Sequence, residues 1–305
     1  MAFTQGSRSR ISFIAETTLG VTPATPVFQA INFQSFDLAP TLTMSENPVI
    51  RSDRNSSLPT PGNQGSTGQI VGPLHYQGYD SLIAGALGGT WTANVVKNGV
   101  LKPTFSMERA HLDTAQYGIG RGMYVNGMTL NFAAGEPVGA TFNMIGKSFA
   151  WSSAEPQVSF ATSTTDPVSA NNLMRSASGV VTEGGQTIAL MTSANITLNN
   201  GGEQLYVYGS NSAAELSQST VQVTGTISLY WENKTMIQKF LSGAQSSLSI
   251  KASNGTNEYT ITLPAIRYTG GNAPVSTAGA LTLEMPFVAG YDATADCTIS
   301  VTRTA

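Results

Sequence analysis

The sequence predicts a mainly β fold: two similar domains of β-sandwich or small-barrel type, each with one short packed helix. Three observations predict it. Apolar and polar residues alternate strictly in Met128-Thr-Leu-Asn-Phe132, Val138-Gly-Ala-Thr-Phe-Asn-Met144, Tyr259-Thr-Ile-Thr-Leu263, Leu281-Thr-Leu-Glu-Met285 and Cys297-Thr-Ile-Ser-Val301, the period of strands with one buried face. Clusters such as Asn199-Asn-Gly-Gly202 and Gly270-Gly-Asn272 punctuate these runs as turns. The order of elements around two short helices also recurs, as expected of an internal duplication.

Taken in order, residues 1–30 read as an N-terminal arm. Its stretch AETTLGVTPATP, Ala15 to Pro26, follows Arg8 and Arg10. Pro23 and Pro26 forbid helix and Gly20 permits a reversal. The prolines also lower the entropy lost when an arm docks. A long irregular stretch, residues 45–68, contains Asp53, Arg54, Pro59, Pro61 and Gly62. Loops of this length are uncommon in compact domains unless they function, so contact between subunits is expected there.

The two helices are Asp80–Leu87 and Asn233–Leu241, each opening on a residue suited to N-capping and stopping at Gly88 or Gly243. They begin about 153 residues apart, and their flanks match in order. Gly72-Pro-Leu-His-Tyr76 stands against Gly225-Thr-Ile-Ser-Leu229, Phe105-Ser-Met107 against Leu248-Ser-Ile250, Tyr117 against Tyr259, and Gly139–Met144 against Gly279–Met285. The first domain is therefore expected over 1–150 and the second over 187–305. Between them, residues 151–186, rich in Ser, Thr, Ala, Asn and Gly with Pro156 and Pro167, read as a linker or surface loop.

Composition narrows function. Only 11% of the 305 residues are charged, well below the roughly 25% of ordinary soluble proteins. So thin a charge cover protects poorly against self-association, which suits a protein built to assemble. A net charge of −3 argues against a binder that neutralises DNA with clustered Lys and Arg. The lone Cys297 makes no internal disulfide, no secretory signal opens the chain, and no apolar run is long enough to span a bilayer. Synthesis in the cytoplasm is the expectation.

Motifs for chemistry are sparse. His75 and His111 stand alone, and with one Cys they supply no metal-ligand spacing. No Gly-x-Ser-x-Gly elbow occurs. Gly118-Ile-Gly-Arg-Gly122 lacks the strand-to-helix setting of a phosphate loop and reads as a tight connection before a strand starting near Met123. Glu108, Asp113, Glu136, Asp166, Glu183 and Glu203 are scattered as surface charges rather than paired across a cleft. No catalytic residue, cofactor or metal ligand is assigned.

The opening then supplies a resemblance. Arg8 to Pro26, followed by Phe33-Gln-Ser-Phe-Asp-Leu38 and Ser45-Glu-Asn-Pro-Val-Ile-Arg-Ser-Asp-Arg54, resembles the start of the tail tube proteins of bacteriophages with long, non-contractile tails. In that family an Arg, a Glu-Thr-x-x-Gly-x-x-Pro motif and a Ser-Glu-x-x-x-Ile-Arg-x-x-Arg-like stretch occur in this order. The match is closest over residues 8–88.

The resemblance implies a virion protein, a β sandwich or small barrel whose copies form stacked rings around a channel for DNA. Its arms and loops tie rings together, and its partners are further tail proteins at the tube ends and a tape-measure protein within. On that basis Arg8, Arg10, Glu16, Thr17, Gly20, Pro23 and Pro26 in the arm, with Glu46, Arg51, Asp53 and Arg54 in the loop, are candidates for ring stacking and other contacts between subunits.

Duplication adds that three chains of two domains each build a pseudo-six-fold ring, closing exposed sheet edges. Thr129, Asn131, Thr141 and Asn143, polar positions of alternating strands, are the lumen candidates, in a wall free of phosphate-holding cations. Deleting residues 1–26 is expected to leave a folded protein unable to stack. A capsid decoration or baseplate protein, an adhesin subunit, and a β-rich carbohydrate-active enzyme or lyase are the competing readings.

Overall fold

The longest alternating stretch becomes the spine of the molecule. In the computed structural model, which describes residues 3–152, 158–165, 172–177, 179–275 and 279–304, the first half runs β1 (Ser9–Ala15), β2 (Val27–Ala30), β3 (Ser35–Phe36), β4 (Ala39–Ser45), β5 (Thr60–Pro73), α1 (Asp80–Leu87), β6 (Val95–Lys97), β7 (Thr104–His111), β8 (Gln116–Ala133), β9 (Gly139–Gly146) and β10 (Ser148–Trp151). After β11 (Ser163–Thr165), the second half runs β12 (Val181–Glu183), β13 (Gln186–Thr187), β14 (Met191–Asn199), β15 (Gln204–Leu205), β16 (Glu215–Leu216), β17 (Gln222–Tyr230), α2 (Thr235–Ser242), β18 (Ser246–Ser253), β19 (Glu258–Tyr268), β20 (Thr282–Ala289) and β21 (Ser300–Arg303). Among the described residues the architecture is a mainly β, sandwich-like packing with two short α-helices, and the sheet is not closed into a barrel.

β8 passes through both layers. Its first section, Gln116–Tyr124, pairs with β7, and within it Gly118–Arg121 pairs with β10; from Tyr124 on, its second section pairs with β9 across a bulge at Val125–Gly127, and from Gly127 on also with β14. A bulge bends a strand, and here it sends one strand from layer to layer. The second section lies within a continuous antiparallel run, β4–β5–β9–β8–β14–β17–β20. Alternation buries Leu130, Phe132, Phe142, Ile196 and Ile227 in one core that spans both halves.

The halves repeat one another's pairings. β1–β2, β1–β7, β4–β5, β5–β9, β7–β8, β8–β9 and β8–β10 recur as β12–β13, β12–β18, β14–β17, β17–β20, β18–β19, β19–β20 and β19–β21, all antiparallel. The two helices occupy the same place in this order, between β5 and β7 and between β17 and β18. They differ in surroundings. α1 is buried on several sides and apolar nearly all round, whereas α2 has no fully buried residue and keeps a polar face.

Four contacts stand out among those that hold the halves together. β8 pairs with β14 from Gly127–Asn199 to Ala133–Ser193, and β6 pairs with β21. The Asp80 carboxylate at the start of α1 accepts from the Tyr259 hydroxyl and the Arg303 guanidinium, which lies over the Trp91 ring. The buried Asn200 amide donates to Ala86 O and Val125 O, both at 2.9 Å.

Several expectations are corrected. Gly118–Gly122 is no connection but part of β8, where a bare backbone lets the Phe149 and Trp151 rings lie against Gly118. Asp80 is the first residue of α1 rather than its cap, because its carboxylate faces Tyr259 and Arg303. α2 begins at Thr235, and Asn233 Oδ1 accepts from the Thr235 N–H at 2.9 Å. β5 begins at Thr60, which shortens the expected 45–68 loop to 46–59. Of the expected 151–186 linker, β11 pairs with β2 and β12 with β18, while Pro156 and Pro167 lie outside the described residues.

Candidate functional site: an uncharged sheet face and two flanking segments

The four lumen candidates share one face of the sheet. Thr129 stands opposite both Thr141 and Thr197, and Asn131 opposite Asn195. Gln69 Nε2 donates to Asn143 Oδ1 at 2.7 Å, Asn195 Nδ2 to Asn131 Oδ1 at 2.5 Å, and Thr197 Oγ1 to Asn195 Oδ1 at 3.1 Å, with the Thr129 and Thr197 hydroxyls 3.2 Å apart. These side chains satisfy one another across four strands, β5, β9, β8 and β14. β5, β9, β14 and β17 contain no Asp, Glu, Lys or Arg, and the only charge in β8, Arg121, lies in its other section. The face is wettable yet carries no fixed charge. Sequence alternation located two of its strands; Gln69, Asn195 and Thr197 were missed because only the register reveals which strands become neighbours.

The N-terminal segment is sheet rather than a free arm in the isolated chain. β1 pairs with β7 over its whole length, from Ser9–His111 to Ala15–Phe105, and buries Ile11 and Phe13. Phe13 meets Phe105 edge-on at 5.6 Å. Arg10 bonds the buried Glu108 at 3.0 Å, whose carboxylate also accepts from Ser159 Oγ and the Ala161 N–H. Arg8 bonds Asp113 at 3.0 Å; the Gln5 N–H and this guanidinium together hold the Asp113 carboxyl below its usual range.

Glu16 is the centre of this segment. One carboxylate oxygen accepts from the Gly20 N–H at 2.8 Å and Thr104 Oγ1 at 2.9 Å, the other from Ser106 Oγ at 2.7 Å and the Gly122 N–H at 2.9 Å. Gly20, at φ 76°, and Gly122, at φ 65°, take left-handed backbone that side-chain-bearing residues rarely adopt, and so bring their N–H groups to the carboxylate. The Glu-Thr-x-x-Gly spacing is thus a turn closed on its own acid. Thr17 is exposed, and Pro23 and Pro26 are half-buried just before β2.

Glu46, Arg51, Asp53 and Arg54 sit together on the exposed β4–β5 loop. Arg51 grips Asp53 with two bonds, 3.0 and 2.7 Å, and that guanidinium, with the Asn55 amide, holds the Asp53 carboxyl far below the usual range. Val49, Ile50 and Leu58 stand in solvent beside them. Of the chemical candidates, His75 Nδ1 lies 2.8 Å from Pro73 O and burial lowers its pKa, while His111 stacks on Trp151. Among the described residues no group of three His, Cys, Asp or Glu side chains is placed to hold a metal ion. Among the described residues no helix is long and apolar enough to cross a membrane.

A sequence model of the family described as phage tail tube protein matches residues 6–289. No curated protein matches the chain.

Proposed function

The chain belongs to the phage tail tube protein family, and we propose that its copies form stacked rings of three whose uncharged faces line a channel for double-stranded DNA. The observation that carries this reading is the face across β5, β9, β8, β14 and β17, continuous through the junction of the halves and free of charged residues. Each Lys or Arg touching a phosphate releases counterions and adds affinity, so a wall without them lets DNA slide. Mutual hydrogen bonding among Gln69, Asn143, Asn131 and Asn195 further leaves fewer free donors to hold phosphate oxygens.

The seven repeated pairings support two similar domains, the first over 1–150; two of the seven use β12, so they favour a second domain that starts at Val181, inside the expected 151–186 linker, rather than at 187. Two such wedges per chain give six positions from three chains, which is the support for a pseudo-six-fold ring. The remaining parts follow from the same reading: a long, non-contractile tail, a tape-measure protein within the lumen, other tail proteins at the ends, synthesis in the bacterial host, and DNA delivery.

Counting chains per ring in an electron micrograph of assembled tubes tests the stoichiometry, and six chains per ring would refute it. Lys at Thr129, Asn131, Thr141 and Asn143 together tests the lumen. Tubes that still form should eject DNA slowly, with a rate that recovers as salt rises; unchanged ejection from intact tubes removes these residues from the channel wall.

A further inference from the structure

Resting on the ring reading above, we infer that the projecting β4–β5 hairpin of one copy seats on the pocket at the ends of β19 and β20 of its neighbour in the same ring. The warrant is a correspondence between the halves. Val125–Met144 and Tyr124–Ile145 are cross-strand pairs in the first half, and Tyr268–Phe287 and Arg267–Val288 take their places in the second. On the other side of the same strands, Gly68–Met144 and Thr67–Ile145 match Gly225–Phe287 and Thr224–Val288. The match keeps burial as well as order: Val125, Met144, Tyr268 and Phe287 are all in the core.

In the first half this surface is covered by the connection from β14 to β17. Gln218 Nε2 donates to Tyr124 Oη at 2.9 Å, Asn200 Nδ2 to Val125 O at 2.9 Å, Gln204 Nε2 to Gly146 O at 2.5 Å, and Ser212 Oγ to Lys147 O at 3.3 Å. The corresponding residues of the second half are Arg267, Tyr268, Ala289 and Gly290. Three of them, Arg267, Ala289 and Gly290, line an open pocket of about 350 Å³ together with Val288 and Tyr291. Val288 is 45% exposed and Tyr291 65%.

The counterpart of the covering segment is identified by the same register. Ala39–Thr67 and Thr41–Gly65 take the places of Thr197–Thr224 and Asn199–Gln222. Residues 42–64, the outer part of the β4–β5 hairpin, therefore correspond to residues 200–221, a segment of nearly equal length. That hairpin leaves Ile50 97% and Leu58 87% exposed. β4 stands at one end of the β4–β5–β9–β8–β14–β17–β20 run and the pocket at the other, so a second copy is what brings hairpin and pocket together.

Cysteine cross-linking in assembled tubes tests this, with the buried Cys297 replaced by Ser. Leu58→Cys combined with Tyr291→Cys, treated with a short bis-maleimide, is expected to give a denaturing-gel ladder that stops at the number of chains in one ring; each single-cysteine variant is the control. Uncrosslinked chains in intact tubes, or a ladder running past one ring, would overturn the lateral placement while leaving the tube reading intact. Wild-type protein that forms neither rings nor tubes fails the tube reading itself, and this inference with it.

Ile50→Asp and Val288→Asp provide the second measurement. Each is expected to raise the concentration needed for assembly at least tenfold with an unchanged circular dichroism spectrum, and Ile50→Lys with Val288→Asp to recover most of it. Assembly indifferent to all three overturns the inference.

Discussion

Replacing Glu16 with Ala removes one acceptor group from four donors. The hydroxyls of Thr104 and Ser106 can turn elsewhere, since Thr22 Oγ1 is already 2.8 Å from Ser106 Oγ. The N–H groups of Gly20 and Gly122 are fixed in left-handed backbone and cannot turn. Leaving a buried donor unsatisfied costs about 1–3 kcal/mol, so two at this half-buried site lose about 2–4 kcal/mol. For a chain of this size that is a fall in Tm of roughly 4–10 °C. Glu16→Gln retains one oxygen acceptor but points an NH2 at the remaining donors, and should fall between the two. The assay is thermal unfolding of unassembled protein followed by circular dichroism. If Glu16→Ala melts within about 1 °C of wild type while tube assembly is lost, Glu16 acts between subunits and the clasp argument is refuted.

Three further outcomes follow from the geometry. Deleting residues 1–15 removes β1, with Ile11 and Phe13 worth about 1.5–3 kcal/mol each, so the expectation of a folded remainder is revised: cooperative unfolding by circular dichroism should be lost. Arg303→Ala strands the Asp80 carboxylate at the start of α1 and should cost about 3 kcal/mol in urea unfolding, less when combined with Asp80→Asn. Acid should destabilise in two stages. Burial lowers the His75 pKa, so its contribution is complete above an unfolded value of about 6.5 and declines as pH falls through it; the lowered Asp113 carboxyl contributes above about 3.9 and is lost below, as pH falls through its folded value. Urea midpoints of His75→Gln and Asp113→Asn across pH should each show a smaller decline in one stage, since His111 in the first and the Asp53 and Glu215 carboxyls in the second are lowered as well.

Legibility in the sequence followed the range of the interactions. Period-two alternation located β8, β9 and β19 because burial of one face is written along a single strand. The helices and their glycine stops were equally local, Gly88 and Gly243 both being left-handed. The repeat was legible as order but not as register: Gly72 was set against Gly225, whereas the pairing puts Gly68 there, opposite Met144 as Gly225 is opposite Phe287. Bulges at Val125 and Phe105 insert residues that no periodicity announces. Glu16 was visible as a motif, but its partners Thr104, Ser106 and Gly122 lie about ninety or more positions away, beyond any local pattern. The uncharged face was half legible for the same reason, since β14 joins it through tertiary pairing alone.

The β8–β14 seam has a kinetic meaning. A seam between two chains forms at a rate set by their concentration, whereas this one closes a tether between Ala133 and Met191 and is made once per folding event at any dilution. Lengthening that tether between its strands, which run from β9 to β13, weakens closure only logarithmically. Half the wedge-to-wedge joints of a ring built this way are complete before subunits meet, and the order of the nucleation reaction falls accordingly.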